Sequence, residues 1–155
     1  MKTFRALIDE ILPEINEVFP WDLEEKISSD NDILLIDLSE PTEYASVHIQ
    51  HSINVPRGIL ETSCDWGYED TLPELANARD KEIILICRSG NRSALATYTM
   101  KQMGFSKVSS LKTGLRGWFD YEQPLYDADD KEVDEDEADT YFSKIPRAEQ
   151  MGPQG

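Results

Sequence analysis

The apolar positions of the chain fall into two kinds of run. Ile33-Leu34-Leu35-Ile36 and Ile83-Ile84-Leu85-Ile86 are short, unbroken and rich in isoleucine. Runs of that length without polar alternation are strands buried on both faces. Elsewhere the apolar residues recur at helical spacing. Phe4, Leu7, Ile8, Ile11 and Leu12 predict an amphipathic helix over residues 3–12, ended by Pro13. Ile15 to Phe19 reads as an edge strand, and Pro20 to Ile27 as a helix with Pro and Asp in its first turn. Ser28 to Asp32 is a polar turn before the strand Ile33–Asp37. A short helix opens at Glu40-Pro41, and Ile53-Asn54-Val55 is a brief strand closed by Pro56. Residues 57–80 form a long connection with one helix near Leu72 to Ala78. The strand Lys81–Cys87, a helix from Arg92 to Met103 stopped by Gly104, the strand Lys107–Leu111 and a helix from Gly114 to Tyr121 complete the order.

Strands alternate with helices throughout. That predicts an α/β fold: a mostly parallel central sheet of about five strands, flanked by helices on both faces. We divide the chain into an N-terminal amphipathic helical extension (1–16), a domain (17–126) and a tail (127–155). The extension packs on the domain's flank or meets a partner. The tail is set apart by charge: residues 127–139 hold nine acids against Lys131 alone. Such a run reads as a solvated, flexible segment, although Tyr141-Phe142 and Ile145-Pro146 within it could dock.

Composition narrows the classes. The 155 residues suffice for one domain with a real core, and 39% hydrophobic with 30% charged residues fits a soluble globular protein. A net charge of −16 argues against nucleic-acid binding and against docking on anionic membranes. No segment approaches the ~18 apolar residues of a membrane span, and the apolar start Ala6-Leu7-Ile8 is cut at once by Asp9 and Glu10, so no signal peptide is expected. The two cysteines, Cys64 and Cys87, do not make a disulfide scaffold. A reducible Cys87 suits a cytoplasmic setting. No metal or cofactor is called for.

The candidate chemistry lies at Cys87-Arg88-Ser89-Gly90-Asn91-Arg92-Ser93. Cys87 ends a buried strand, and the loop after it feeds a helix N-terminus. Open α/β sheets place ligand sites at that edge. Loop N–H groups, the helix's positive end and the charges of Arg88 and Arg92 each favour the reactive thiolate and can hold a small oxyanion beside it. A buried structural thiol would not require two arginines, a glycine and two serines behind it.

This loop resembles the active-site loop of the rhodanese sulfurtransferases, and the likeness extends in order along residues 17–126. Asp37, with Glu43-Tyr44 and His48-Ile49 downstream, resembles the family's Asp-x-Arg…Glu-Tyr/Phe…Gly-His-Ile signature. Ile53-Asn54-Val55-Pro56 resembles its Ile-Asn-Ile/Val-Pro, and Leu111-Lys112-Thr113-Gly114…Trp118, trailed by Pro124, its closing Leu-x-Gly-Gly…Trp motif. The chain departs at Ser39, where the family often has arginine; at Val47 and His51, where glycines are usual around His48; and at Thr113, in place of the first glycine of the closing motif.

The resemblance implies a rhodanese-like fold and a sulfurtransferase. Cys87 would accept a sulfane sulfur from a donor such as thiosulfate or a low-molecular-weight persulfide, then pass it to cyanide, a thiol or a sulfur-carrier protein. The amides of residues 88–92 would cradle the persulfide, Arg88 and Arg92 would bind the donor's sulfonate, and Asp37, His48 and Ser93 would support the site. Arg57 could add a third charge if its loop folds inward. Cys64, in the same connection, could approach Cys87 as a resolving or regulatory thiol. Two rivals compete. A phosphatase or arsenate reductase of related fold also pairs Cys with Arg, but across a loop one residue longer than the four between Cys87 and Arg92. The other is a non-catalytic, sulfur-binding or regulatory module on a rhodanese scaffold.

Overall fold

The structure is a computed structural model that describes residues 1–29 and 32–153. Asp30 and Asn31, in the turn expected over Ser28–Asp32, lie outside the described residues, as do Gln154 and Gly155 of the tail. Five strands form: β1 (Glu17–Val18), β2 (Leu34–Asp37), β3 (Ile53–Asn54), β4 (Glu82–Ile86) and β5 (Lys107–Leu111). They make one sheet in the order β1-β5-β4-β2-β3, with every neighbouring pair parallel. Parallel neighbours need crossover connections, and helices supply most of them. These are α1 (Phe4–Ile11), α2 (Pro20–Ser29), α3 (Pro41–Ser46), α4 (Leu60–Ser63), α5 (Pro73–Ala76), α6 (Asn91–Gln102), α7 (Gly114–Asp120) and α8 (Glu135–Phe142).

The unbroken apolar runs acquire their meaning from the two faces of the sheet. Leu34, Ile36, Ile83 and Leu85 point to one side, where they pack with Leu60 of α4, Leu75 of α5, and Ala96 and Met100 of α6. Leu35, Ile84 and Ile86 point to the other, against Leu23 of α2, Leu115 and Trp118 of α7, and Phe142 of α8. Neither face is left to water, so neither needs polar alternation. The first helix is capped by Thr3, whose hydroxyl accepts from the Ala6 amide at 3.1 Å. Pro13 ends it in a single 3-10 turn, and Ile8 and Ile15 pack on Ala94 of α6.

The structure corrects the sequence reading in four places. The edge strand is only two residues long. The 57–80 connection holds two four-residue helices, α4 and α5, rather than one. The strand before the reactive loop stops at Ile86, so Cys87 begins the loop.

The largest correction concerns the acidic segment. Residues 135–142 form a helix docked on the domain, with Ala138 1% and Phe142 4% exposed. The Asp134 carboxylate caps it, accepting from the Glu137 amide at 3.1 Å, and Glu135, Asp136 and Glu137 fill its first turn. Acids at that end face the positive pole of the helix. The charge run that looks like a disorder signal is therefore a helix start, and the apolar side of the helix repays the cost of ordering it. Tyr126 reinforces the docking, because its backbone pairs antiparallel with both His48 and Glu132.

Candidate active site

The C-terminal ends of β2, β4 and β5 meet at one edge of the sheet, and the Cys87 loop is held between them. The Leu38 amide donates to the Ile86 carbonyl at 2.8 Å, which ties the end of β2 to the end of β4. From the other side, the start of α7 grips the loop: the Leu115 and Arg116 amides donate to the Cys87 and Arg88 carbonyls at 2.9 and 3.0 Å. This close approach explains the one glycine that the closing motif retains. A Cβ on Gly114 would lie 2.4 Å from the Cys87 carbonyl oxygen and 2.7 Å from the Arg88 carbonyl carbon. Gly90 is constrained too. It caps α6 in the left-handed region (φ 88°), and its Cβ would meet the Thr113 amide at 3.0 Å.

Cys87 is fully buried at the N-terminus of α6. Its sulfur accepts from the Gly90 amide at 3.1 Å and the Ser93 amide at 3.4 Å. As a thiol it donates to Ser93 Oγ at 3.4 Å, and that oxygen sits 2.7 Å from Ser110 Oγ on β5. A thiolate would reverse the serine hydroxyl and accept a third hydrogen bond. Two loop amides, one hydroxyl and the positive end of a twelve-residue helix thus converge on a single sulfur atom. Among the amides of residues 88–93, those of Gly90 and Ser93 hydrogen-bond to the Cys87 sulfur.

The two arginines are held differently. Arg92 makes a bidentate pair with Glu43, each N–O distance being 2.9 Å. Glu43 also accepts from the Glu40 amide at 2.9 Å, closing the capping box of α3. The hydrogen bonds from Arg92 hold the Glu43 carboxyl below its usual range, and Glu43 in turn raises Arg92. Glu43 therefore positions Arg92, a role that its place in the Glu43-Tyr44 motif does not reveal. Arg88 is half-buried and donates through Nη2 to the Tyr141 carbonyl at 3.0 Å, with its guanidinium 5.1 Å over the Tyr141 ring. Nothing local in the sequence points to that contact, since the partners are 53 residues apart. Ser110 was missed for the same reason.

The remaining candidates separate clearly. Ser89 is exposed, and Asn91 accepts from Arg5 of α1 at 3.2 Å. His48 stacks on Tyr44 (3.9 Å between centroids), and its Nδ1 lies 2.7 Å from the Tyr44 carbonyl, an arrangement that satisfies the ring locally. Asp37 is fully buried beside the loop. Its Oδ1 accepts from the Ser39 amide at 2.9 Å, while Oδ2 and the neighbouring Ser39 hydroxyl have no hydrogen-bond partner. Burial pushes the Asp37 carboxyl up to about 6, and the proximity of Ser39 offsets this only in part. Arg57 is engaged by Glu61 at 2.7 Å. Cys64 lies in the apolar cluster with Leu60, Leu75 and Ala78, and burial pushes its thiol up to about 12. Both cysteines are free. Among the described residues, no group of three or more His, Cys, Asp and Glu could hold a metal ion, and no helix is long and apolar enough to cross a membrane.

A parallel α/β sheet with a thiol cradled by amides at its C-terminal edge, flanked by arginines, defines the class of fold and site. Within that class the chain belongs to the rhodanese-like domain family, which it matches over residues 20–121. Its curated relatives include the "Putative sulfur carrier protein YrkF" of Bacillus subtilis, 37% identical over 108 residues. That match covers 69% of this chain but only 51% of YrkF, so the chain spans about half the length of that relative. A protein named "Sulfurtransferase" from Allochromatium vinosum is 25% identical over 111 residues, covering 72% of this chain and 94% of that protein. Among solved structures, RPA3614 of Rhodopseudomonas palustris, described as a possible tyrosine phosphatase, aligns with a TM-score of 0.74. It is 28% identical and covered over 95% of its length by 81% of this chain. The family and the names of the two curated relatives support sulfur transfer in general.

Proposed function

We propose that the protein is a sulfurtransferase in which Cys87 carries the sulfur. The observation behind this reading is the position of the Cys87 sulfur, with the Gly90 and Ser93 amides 3.1 and 3.4 Å away at the N-terminus of α6. In the reaction, the Cys87 thiolate attacks the outer sulfur of thiosulfate. A new S–S bond forms as the donor's S–S bond breaks, and its electron pair leaves on sulfite. The resulting persulfide carries its negative charge on the outer sulfur, which faces the remaining loop amides and the positive end of α6, while the Gly90 and Ser93 amides and the Ser93 hydroxyl hold the inner sulfur, the leaving group of the second step. An acceptor nucleophile (cyanide, a thiol or a sulfur-carrier protein) then attacks the outer sulfur, and the Cys87 thiolate is released. Arg88 and Arg92 steer and hold the donor's sulfonate. Asp37, at the end of β2, and His48, stacked on Tyr44, act as structural supports near the site. The relatives named as sulfurtransferase and sulfur carrier are consistent with a protein acceptor.

Intact-mass spectrometry after incubation with thiosulfate tests this directly. The expected result is a gain of one sulfur atom, lost on addition of cyanide and absent in Cys87→Ala. An unchanged mass would overturn the reading in favour of a non-catalytic module. Turnover of a phosphotyrosine substrate without sulfur loading would overturn it in favour of the phosphatase that the description of RPA3614 raises.

A further inference from the structure

The docked α8 ends beside the reactive loop, and its last turn meets two arginines. Arg88 donates to the Tyr141 carbonyl at 3.0 Å, and Arg116 of α7 donates to the Phe142 carbonyl at 3.0 Å. Both carbonyls belong to the end of the helix, where backbone oxygens have no intrahelical partner and the helix is negative. Phe142 is buried between Phe119 and the sheet-face cluster, which fixes where the turn sits. Tyr141 then lies with its ring under the guanidinium of Arg88 at 5.1 Å, and Lys144 Nζ is 5.7 Å from the same ring. Burial first, then the charge of Glu43, pushes the Tyr141 phenol up, and the charges of Arg88, Arg92 and Asp37 also reach it. The side chain therefore sits within the electrostatic field of the site, not on a remote surface.

We propose that Tyr141 is a positioning residue for the Cys87 site: its ring and carbonyl hold the Arg88 guanidinium in place, so that this charge draws anionic reagents toward the sulfur. This rests on the sulfurtransferase reading for the identity of the anion, but not for the effect itself. Arg88 is the residue next to Cys87, and an arginine side chain left alone samples many rotamers. The helix end takes one N–H and the ring takes one face of the guanidinium, which leaves the other donors to an incoming oxyanion. A cation over a tyrosine ring at this distance is worth several-fold in an equilibrium. The C-terminal segment is then part of the site's specificity.

The test compares the alkylation rates of Cys87 by iodoacetate and iodoacetamide, with the modified peptide identified by mass spectrometry. The two reagents are nearly equal in size, so their ratio cancels changes in access and reports the charge felt at the sulfur. Tyr141→Ala is expected to lower the iodoacetate-to-iodoacetamide ratio about threefold to tenfold. Tyr141→Phe, which keeps the ring and the carbonyl, should stay within about twofold of the unmodified protein. In an Arg88→Gln background Tyr141→Ala should have no further effect. With thiosulfate as donor, Tyr141→Ala should raise KM by a similar factor and leave kcat unchanged. A ratio unaffected by Tyr141→Ala, or lowered equally with and without Arg88, would overturn the assignment. If the unmodified protein takes up no sulfur while the ratio responds as expected, the functional reading fails and the role of Tyr141 stands.

Discussion

Replacing Asp37 with asparagine should remove a contribution that lowers stability as pH rises, opposite in sign to that of the usual carboxylate. Asp37 has no exposed surface, and its Oδ2 has no partner. Its carboxyl is raised from 3.8 to about 6, with burial as the largest cause. The folded state therefore binds this proton more tightly than the unfolded state does. As pH rises from the unfolded value through the folded one, ionising Asp37 costs folding free energy, and stability falls. An offset of about two pKa units is worth about 3 kcal/mol once complete. Roughly half of that develops below pH 5 and half between pH 5 and 7.5. The Asp37→Asn variant keeps an acceptor for the Ser39 amide and lacks the titration. It also places an amide N–H₂ where Oδ2 was, at a cost that does not depend on pH.

The discriminating quantity is thus the change, between pH 5 and 7.5, in the stability difference of the two proteins. It should move by about 1 to 2 kcal/mol in favour of Asp37→Asn at the higher pH. Urea unfolding followed by tryptophan fluorescence measures it, with both conditions above the isoelectric point near 4.4. A difference that is constant with pH, or that favours Asp37 more strongly at pH 7.5, would refute the argument that a buried, half-satisfied carboxylate is being forced to ionise there.

Gly114→Ala should cost about 3 kcal/mol in urea unfolding and abolish sulfur loading by intact mass, because its Cβ would strike the backbone of Cys87 and Arg88. Glu43→Ala removes both hydrogen bonds to Arg92 and half of the α3 capping box. It should cost about 1 to 2 kcal/mol and raise KM for thiosulfate more than it lowers kcat, read from steady-state kinetics. Thr113→Gly should raise the melting temperature by a few degrees in calorimetry. Thr113 is held at φ 66°, and the ~1–2 kcal/mol strain of a β-branched residue there exceeds the entropy that glycine adds to the unfolded chain.

The core strands and the position of the Cys87 loop were legible because they are local. Ile83 to Ile86 reads as a buried strand because it is short, β-branched and unbroken, and Cys87 to Ser93 carries its spacing within seven consecutive residues. Ordered motifs along residues 17–126 were enough for the family. Less legible were elements whose stability is not local. The 57–80 connection folds into two helices of four residues each, too short to show a period, and β1 is a strand only because β5 lies beside it. At Ser39 the sequence showed a missing arginine but could not show its consequence, a buried carboxylate with one oxygen unpartnered.

The acidic segment marks the boundary most clearly. Charge density alone argues for disorder, and for a chain in isolation that argument is sound. It fails because Ala138, Tyr141 and Phe142 fall on one side of a helix and find the face of the sheet left open beside α7. The residues near Cys87 could be named from the chain, since a thiol, its amides and its arginines are neighbours in sequence. Which groups hold those arginines could not. Glu43 reaches Arg92 across 49 residues and Tyr141 reaches Arg88 across 53, and such pairings exist only once parallel strands have brought their ends to one edge.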